Sequence, residues 1–440
     1  MMSKLNQYIA AIDIGTTKIV AIVGRKTDNN KIKILGMART PSKGVKRGVV
    51  LNIEETVNAI KSVVEDVQVR TGIIFNDVFV GIAGQHIKSI RNRGYINRDS
   101  YDDEITKDDI NALIEDMFKI PIEVGEEIIH VLPQNYIVDN ETGVKNPIGM
   151  AGKRLEGNFQ IVIGQVSSAR NIERCVNRVG LTVRELILEP LASSSAVLTA
   201  DEIEAGVALV DIGGGTTDVA VFYDDVIRHT AVIPFGGNVV TKDIKEGCSI
   251  LLRQAELLKV QFGSALGDIA QEDKVVTIPG ISGRDPKEIS FKSLAYIIQS
   301  RMEEIIDAVL YEIENSGCAE KLSAGIVLTG GGAMLKHLPQ LVKFKTGYDV
   351  RIGVPSEHVT GEMEDDMNQP MFATSVGLII KGYESLDRKK KKEDVQDVID
   401  EEPVEELAEE GEDKSSNKKG IFDSLKTKIN KIFEEDDARM

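Results

Sequence analysis

The sequence predicts an α/β fold built in two related halves, and three observations carry that expectation. Apolar β-branched runs alternate along the chain with segments of helical apolar spacing. One motif occurs twice at domain spacing: Ala11-Ile12-Asp13-Ile14-Gly15-Thr16-Thr17-Lys18-Ile19-Val20-Ala21-Ile22-Val23, then Leu209-Val210-Asp211-Ile212-Gly213-Gly214-Gly215-Thr216-Thr217-Asp218-Val219-Ala220-Val221-Phe222. The 440 residues are 42% hydrophobic, enough for about two to four folded units of roughly 100–200 residues each.

Each copy of the motif is an apolar run that ends in Asp, turns through Gly and Thr, and re-enters a β-branched run. That is the pattern of a β-hairpin with a polar tip. The second copy reads as carrying two extra glycines. Between the copies, Ile53–Val69 has helical spacing and Val78–Ala83 reads as a strand running into Gly84. Thr106-Lys107-Asp108-Asp109 predicts a helix start, with Ile110, Leu113, Ile114 and Met117 on one face. Glu127–Leu132, Asn135–Val138 and Asn158–Gly164 read as strands, and Ala169–Val179 as an amphipathic helix that Gly180 stops. After the second copy, helices are expected at Val240–Glu246, Arg253–Gln261, Phe291–Asn315 and Ala373–Leu386, and a strand at Ala324–Thr329.

Composition excludes several classes. Three scattered cysteines without a Cys-x-x-Cys pair argue against a disulfide framework or structural zinc, and fit a reducing cytosol. No run of eighteen apolar residues offers a membrane span, and the N-terminal apolar stretch is too short for a signal peptide. The net charge is −17, but Glu393–Asp413 holds twelve acids and no Lys or Arg. That run, behind the basic cluster Arg388–Lys392, reads as a solvated linker. The balance gives nucleic-acid binding no support.

The paired Asp-Ile-Gly turns carry the chemistry. Glycines and small hydroxyl residues let backbone N–H groups approach an anion closely. Two carboxylates across a cleft, Asp13 and Asp211, suit Mg²⁺ held mostly through water beside substrate phosphates. Gly15, Thr16, Thr17 and Lys18 would meet phosphate from one side, and Gly213, Gly214, Gly215, Thr216 and Thr217 from the other. One such turn alone is what any tight hairpin needs; the matched pair exceeds that. Gly330-Gly331-Gly332-Ala333-Met334 follows an apolar strand, where glycines admit a ligand ring against the backbone. A plain strand-to-helix turn is the alternative for that segment.

Near the end, Ile421, Phe422, Leu425, Ile429, Ile432 and Phe433 recur at helical spacing, with Lys426 and Lys428 between them. An apolar face beside lysines suits a helix lying in anionic lipid. Docking on this protein or on a partner is the rival. Glu434-Glu435-Asp436-Asp437 follows and would have to point away from such a surface.

In this order, Asp13–Lys18, Asp211–Asp218 and Gly330–Ala333 resemble the two phosphate loops and adenosine loop of the actin/Hsp70/sugar-kinase superfamily. Glu189-Pro190-Leu191-Ala192-Ser193 and Ala373-Thr374-Ser375-Val376-Gly377 resemble its two connecting helices. His130–Tyr136 and Gly143–Glu156 closely resemble the FtsA family of bacterial actin-like cell-division proteins.

The resemblance implies an actin-like two-lobed fold: subdomain 1A at 1–83 and 165–200, inserted subdomain 1C at 84–164, 2A at 201–238 and 320–369, and 2B at 239–319. A return helix at 370–387, a disordered charged linker at 388–417 and an amphipathic membrane helix at 418–434 would complete it. It further implies ATP with Mg²⁺ as cofactors, Glu256 and Lys259 at the ribose, and Glu189 as the residue orienting water, with slow hydrolysis at most. Arg301 and Asn238 would receive the acidic C-terminal tail of FtsZ; as a plain helix-surface charge, Arg301 would instead pair with a neighbour such as Glu304. Self-association into filaments, anionic lipid and other division proteins are the remaining implied partners, at the cytoplasmic face of the membrane. A superfamily enzyme (sugar kinase or polyphosphate hydrolase) and a pilus-assembly protein of similar fold are the alternatives.

Overall fold

The computed structural model describes residues 8–27, 31–98, 103–280, 285–355, 359–360 and 368–400, with side chains through Asp387. Met1–Asp387 forms one compact unit and Arg388–Met440 a second. The first hairpin is β1 (Tyr8–Ile14) and β2 (Lys18–Lys26), extended by β3 (Ile32–Pro41). A short ribbon of β4 (Val45–Lys46) and β5 (Val49–Val50) leads into α1 (Ile53–Thr71) and β6 (Asp77–Ile82). An excursion follows: β7 (Lys88–Asn97), α2 (Lys107–Met117), β8 (Glu126–Val138), β9 (Glu141–Val144) and β10 (Arg154–Gln165). The chain returns through α3 (Val166–Arg178), β11 (Thr182–Leu188) and α4 (Glu189–Val197).

The second half opens with α5 (Ala200–Ala205) and the second hairpin, β12 (Val207–Ile212) and β13 (Thr217–Tyr223), followed by β14 (Val226–Ile233). Then come α6 (Gly237–Cys248), α7 (Leu252–Phe262), β15 (Val275–Ile278), β16 (Lys287–Ser290) and α8 (Phe291–Asn315). β17 (Ile326–Thr329), α9 (Leu338–Thr346), β18 (Val350–Ile352) and α10 (Ala373–Asp400) close it.

The two main sheets repeat one design. Their orders are β11-β6-β1-β2-β3 and β14-β13-β12-β17-β18. In each, the strand ending in Asp has an antiparallel hairpin partner on one side and a parallel strand on the other. The predicted duplication is therefore a duplication of sheets. Burial explains the local choices. In α1, Val57, Ile60, Val63, Val64 and Val67 recur on one face and are buried, each worth roughly 1.5–3 kcal/mol. The Asn52 side chain caps α1 by accepting from Glu55 N–H at 3.2 Å, and left-handed Gly72 ends it. The α2 start at Thr106 is a full capping box with Asp109.

A third, four-stranded sheet, β7-β10-β8-β9, belongs to the excursion and packs its own core around Leu113, Leu155, Phe159 and Ile161. Sequence reading expects two strands on either side of Pro133; β8 runs through it. The register with β10 passes from Asn158 opposite Asn135 to Phe159 opposite Pro133, leaving Gln134 as an extra residue. That bulge accommodates the proline and aims Gln134, whose amide donates to the Ile227 carbonyl of the second half at 2.5 Å. β7 gives no alternating signal because its side chains are mostly exposed; pairing with β10 holds it.

Helices α4 and α10 lie where the halves meet. Ala192 and Ala196 of α4, Val376 and Ile379 of α10, and strand residues of both main sheets share one buried cluster. A Cβ at Gly377 would overlap the Ala192 carbonyl, so α10 touches α4 backbone to backbone. Beyond this contact α10 continues to Asp400 rather than ending near Leu386, into the stretch expected as linker. Residues 383–402 contain no Gly and no Pro, so nothing local breaks the helix before Pro403. The linker from 401 and the expected membrane helix, with Ile421, Phe422, Leu425, Lys426, Lys428, Ile429, Ile432 and Phe433, lie outside the described residues.

Candidate nucleotide site

The two hairpin tips face each other. Ile14 pairs with Ile19 and Ile212 with Thr217, so each tip has the same length. This corrects the sequence reading of two extra glycines in the second copy. Gly15, Thr16, Thr17 and Lys18 match Gly213, Gly214, Gly215 and Thr216 position by position, and the repeated Thr-Thr pairs are not equivalent. A Cβ on Gly214 would overlap the Thr17 hydroxyl, and one on Gly215 would lie 2.6 Å from the Thr16 hydroxyl. The bare second tip is what lets the threonines of the first approach.

Both strand-end aspartates are buried, and hydroxyls from the two connecting helices hold them. Ser375 of α10 donates to Asp13 at 2.8 Å. Ser193 of α4 donates to Asp211 at 2.6 Å, and Thr374 of α10 does so at 3.2 Å. Ser193 of the first half thus reaches the carboxylate of the second and Ser375 reaches that of the first, while Thr374 adds a bond to Asp211 within its own half. Sequence reasoning assigned these three hydroxyl residues no role; a small polar residue opening a helix beside an apolar strand end was the signal.

Glu189 opens α4 over β6, its Oε1 only 3.1 Å from where a Cβ on Gly81 would stand. Burial, and after it the charges of Asp13, Asp218 and Asp211, push its carboxyl well above the ordinary range, while Lys18 pulls the other way. Burial and the charge of Asp211 also push Asp218 well up. Asp211 is raised by burial against the opposing hydrogen bond from Ser193. One Asp218 oxygen, Oδ1, is buried with no partner among the described residues.

Glu189 thus lies within electrostatic reach of Asp13, Asp211 and Asp218, and the Lys18 ammonium acts on both Glu189 and Asp211. Among the described residues no three carboxylates, imidazoles or thiols are close enough to enclose a metal by themselves. Hard oxygen donors too few for a full cage fit Mg²⁺, which keeps several waters.

The remaining predicted residues divide. Lys259 donates to the Gly237 carbonyl at 3.0 Å and to Thr241 at 2.8 Å, and pairs with Glu256 at 2.8 Å. Gly237 N–H in turn donates to the Gly213 carbonyl at 2.9 Å, so Glu256 and Lys259 sit beside the second tip. Thr217 is tied away from it, donating to the Phe235 carbonyl at 2.9 Å. A Cβ on Gly330 would overlap Asp211, and one on Gly332 would overlap Ile212. Those two glycines serve close packing on β12. Gly331 faces open space and Met334 is half exposed.

Arg301 lies elsewhere, on α8. Its guanidinium forks onto Asp243 of α6 at 2.5 and 3.2 Å and reaches Glu304 at 2.5 Å. Asn238 lies at the start of α6, five residues before Asp243, its N–H donating to the Gly214 carbonyl at 2.8 Å. The structure brings Asn238 to the hairpin tip.

Comparison with known proteins follows the same lines. A family model described as "Cell division protein FtsA" matches residues 208–377. Another, "SHS2 domain inserted in FTSA", matches 84–163, the range that holds β7, α2, β8, β9 and most of β10. "Cell division protein FtsA" of Neisseria meningitidis is 40% identical over 379 residues, covering 86% of this chain and 91% of the relative. The Escherichia coli protein of that name is 35% identical over 386 residues, covering 86% and 91%. Among solved structures, a chain of the PilM-PilN type IV pilus biogenesis complex aligns with TM-score 0.60 at 15% identity, over 85% of this chain and 98% of that one. MreB 5 of Spiroplasma citri bound to AMPPNP aligns with TM-score 0.52 at 15% identity, over 88% and 99%. At such identities the structural likeness speaks for the fold alone.

Proposed function

The chain belongs to the FtsA family of cell-division proteins, and on that footing we propose the following activity for it. It binds ATP with Mg²⁺, assembles on the cytoplasmic face of the membrane at the division site, tethers FtsZ filaments there and recruits later division proteins. The observation that carries the nucleotide part is the pair of buried aspartates behind the facing tips, held by the hydroxyls of Ser193, Thr374 and Ser375.

Thr16, Thr17 and Lys18 bind phosphate oxygens from one tip, and the amides of Gly213, Gly214 and Gly215 from the other. Glu256 and Lys259 meet the ribose, and Gly331 with Met334 offers a surface to the base. Asp13 and Asp211 would hold Mg²⁺, mostly through water; the ion supplies positive charge against both carboxylates and phosphates. Glu189 orients the attacking water. Burial shifts Glu189 toward its protonated form, which favours positioning the water over abstracting its proton and supports hydrolysis that is slow at most. That MreB 5, a protein of similar fold, was solved bound to AMPPNP agrees with nucleotide binding by this chain. Membership of a cell-division family disfavours the sugar-kinase, polyphosphate-hydrolase and pilus-assembly readings.

The tether has two ends. Residues 418–434 bind anionic lipid through Ile421, Phe422, Leu425, Ile429, Ile432 and Phe433, with Lys426 and Lys428 toward the headgroups. Self-association into filaments presents many such tails together and multiplies their hold. At the other end, Arg301 receives the acidic FtsZ tail by exchanging Asp243 and Glu304 for the peptide's carboxylates. One pair of variants tests both parts. Asp211→Ala should reduce Mg-ATP affinity at least about a hundredfold by calorimetric titration, because it removes a charged ligand worth roughly 3 kcal/mol or more. Phe422→Glu should release the full chain from anionic liposomes on sedimentation while leaving that affinity unchanged. Unaltered ATP affinity sinks the first part, and wild-type pelleting by Phe422→Glu sinks the second.

A further inference from the structure

The segment that joins β3 to α1 crosses the first hairpin tip, and neither the family motifs nor the site residues above include it. Ser42 N–H donates to the Thr17 carbonyl at 2.9 Å. The β4–β5 ribbon then turns through Arg47 and Gly48, both in the left-handed region (φ 51° and 74°). Gly48 N–H donates to the Thr16 hydroxyl at 3.1 Å. From the opposite side, a Cβ on Gly215 would lie 3.0 Å from Arg47 Cα. The turn is therefore wedged against both tips at once.

Its polar groups are underused. The Ser42 hydroxyl is buried with no partner among the described residues. The Arg47 guanidinium makes one long hydrogen bond, to the Gln85 side-chain oxygen at 3.4 Å, and no ion pair with a carboxylate is found for it among the described residues. A guanidinium offers five donors in a fork that matches phosphate oxygens. Beside it, the first tip contributes one ammonium, Lys18, for a ligand that carries several negative charges.

We propose that the Arg47–Gly48 turn is a third phosphate-contacting loop, in which Arg47 binds the terminal phosphate of a nucleoside triphosphate and Ser42 lends a hydroxyl. The assignment rests on the nucleotide reading above and sharpens it: the two hairpins hold the phosphates common to di- and triphosphate, and Arg47 tells them apart. Taking up phosphate draws Arg47 from Gln85, which lies in the first residues of the excursion and donates its own N–H to the Arg47 carbonyl at 3.4 Å. The state of the ligand thereby reaches the inserted sheet through one turn.

Calorimetric titration of the full chain with Mg-ATP and with Mg-ADP decides it. Arg47→Asn removes the charge but keeps a residue that tolerates left-handed backbone, and Arg47→Lys keeps the charge without the fork. R47N should lose about tenfold or more in Mg-ATP affinity, as for a charged hydrogen bond, with Mg-ADP affinity within twofold of wild type; R47K should fall between. Equal affinities in R47N and wild type, or an equal loss for both nucleotides, overturns the assignment of Arg47 alone. Wild-type protein that binds neither nucleotide overturns the nucleotide reading and this inference with it.

Discussion

The two hairpin tips have the same length, the same Asp-Ile-Gly exit and the same place in their sheets, yet their chemistry differs. The first carries two hydroxyls and an ammonium at Thr16, Thr17 and Lys18; at the matching positions the second has Gly214, Gly215 and Thr216. Two places past the tip, Val20 of the first answers to Asp218 of the second. A duplicated framework has thus divided its labour: one tip reaches with side chains, and the other offers bare backbone and an extra carboxyl. The lesson is that glycine in the second tip is complementary to threonine in the first, since added atoms on either side would occupy the same space.

That division can be broken from either side. The largest effect should come from Lys18→Ala, which removes the ammonium from the tip that works through side chains. Losing a charge-assisted contact of roughly 1.5–3 kcal/mol predicts a ten- to hundredfold fall in Mg-ATP affinity by titration. Thr216→Ala, at the matching place, should change it less than threefold. A comparable loss in both would erase the asymmetry. Next, Gly214→Ala should weaken Mg-ATP about tenfold by pushing the tips apart, an overpacking cost of roughly 1–3 kcal/mol. Adding Thr17→Gly to it removes the overlap, so the double variant should bind better than Gly214→Ala alone. If the double variant is simply worse, the two tips are not complementary.

The smallest effect concerns stability without nucleotide. Folding raises the Glu189 pKa well above its unfolded value near 4.5, so the native state binds the extra proton. Stability from this group is present at pH below that unfolded value and declines as pH rises through the folded one. Glu189→Gln removes the titration and should raise the thermal midpoint at neutral pH by about 1–3 °C. The gain should vanish near pH 4. A gain that is independent of pH would separate it from Glu189's charge.

Much of this was legible in the sequence. Asp13 and Asp211 announce themselves because a buried strand seldom ends twice in the same charged residue, and α8 was predicted end to end because its apolar period is unbroken. The tip alignment was not legible: Thr-Thr matches Thr-Thr as letters, whereas hydrogen-bond register decides which residues face each other. β7 escaped because a strand with exposed side chains has no period to read. The crossed hydroxyls escaped for another reason. Ser375 meets an aspartate 362 residues away and Ser193 one 18 residues on in the other half, and no local pattern encodes a contact made only when two halves assemble.

The backbone contact between Gly377 of α10 and Ala192 of α4 gives the molecule a rivet. Two helices that touch without side chains between them have no layer of methyl groups to slide on, so turning about the point of contact disturbs less than shifting past it. The hydroxyl bonds to Asp13 and Asp211 lie close to that point, on Ser193, Thr374 and Ser375, and so would move little as the halves turn. The hairpin tips lie farther out along the same strands and would sweep through more. The arrangement is that of scissors, in which the jaws part while the metal near the pin hardly moves.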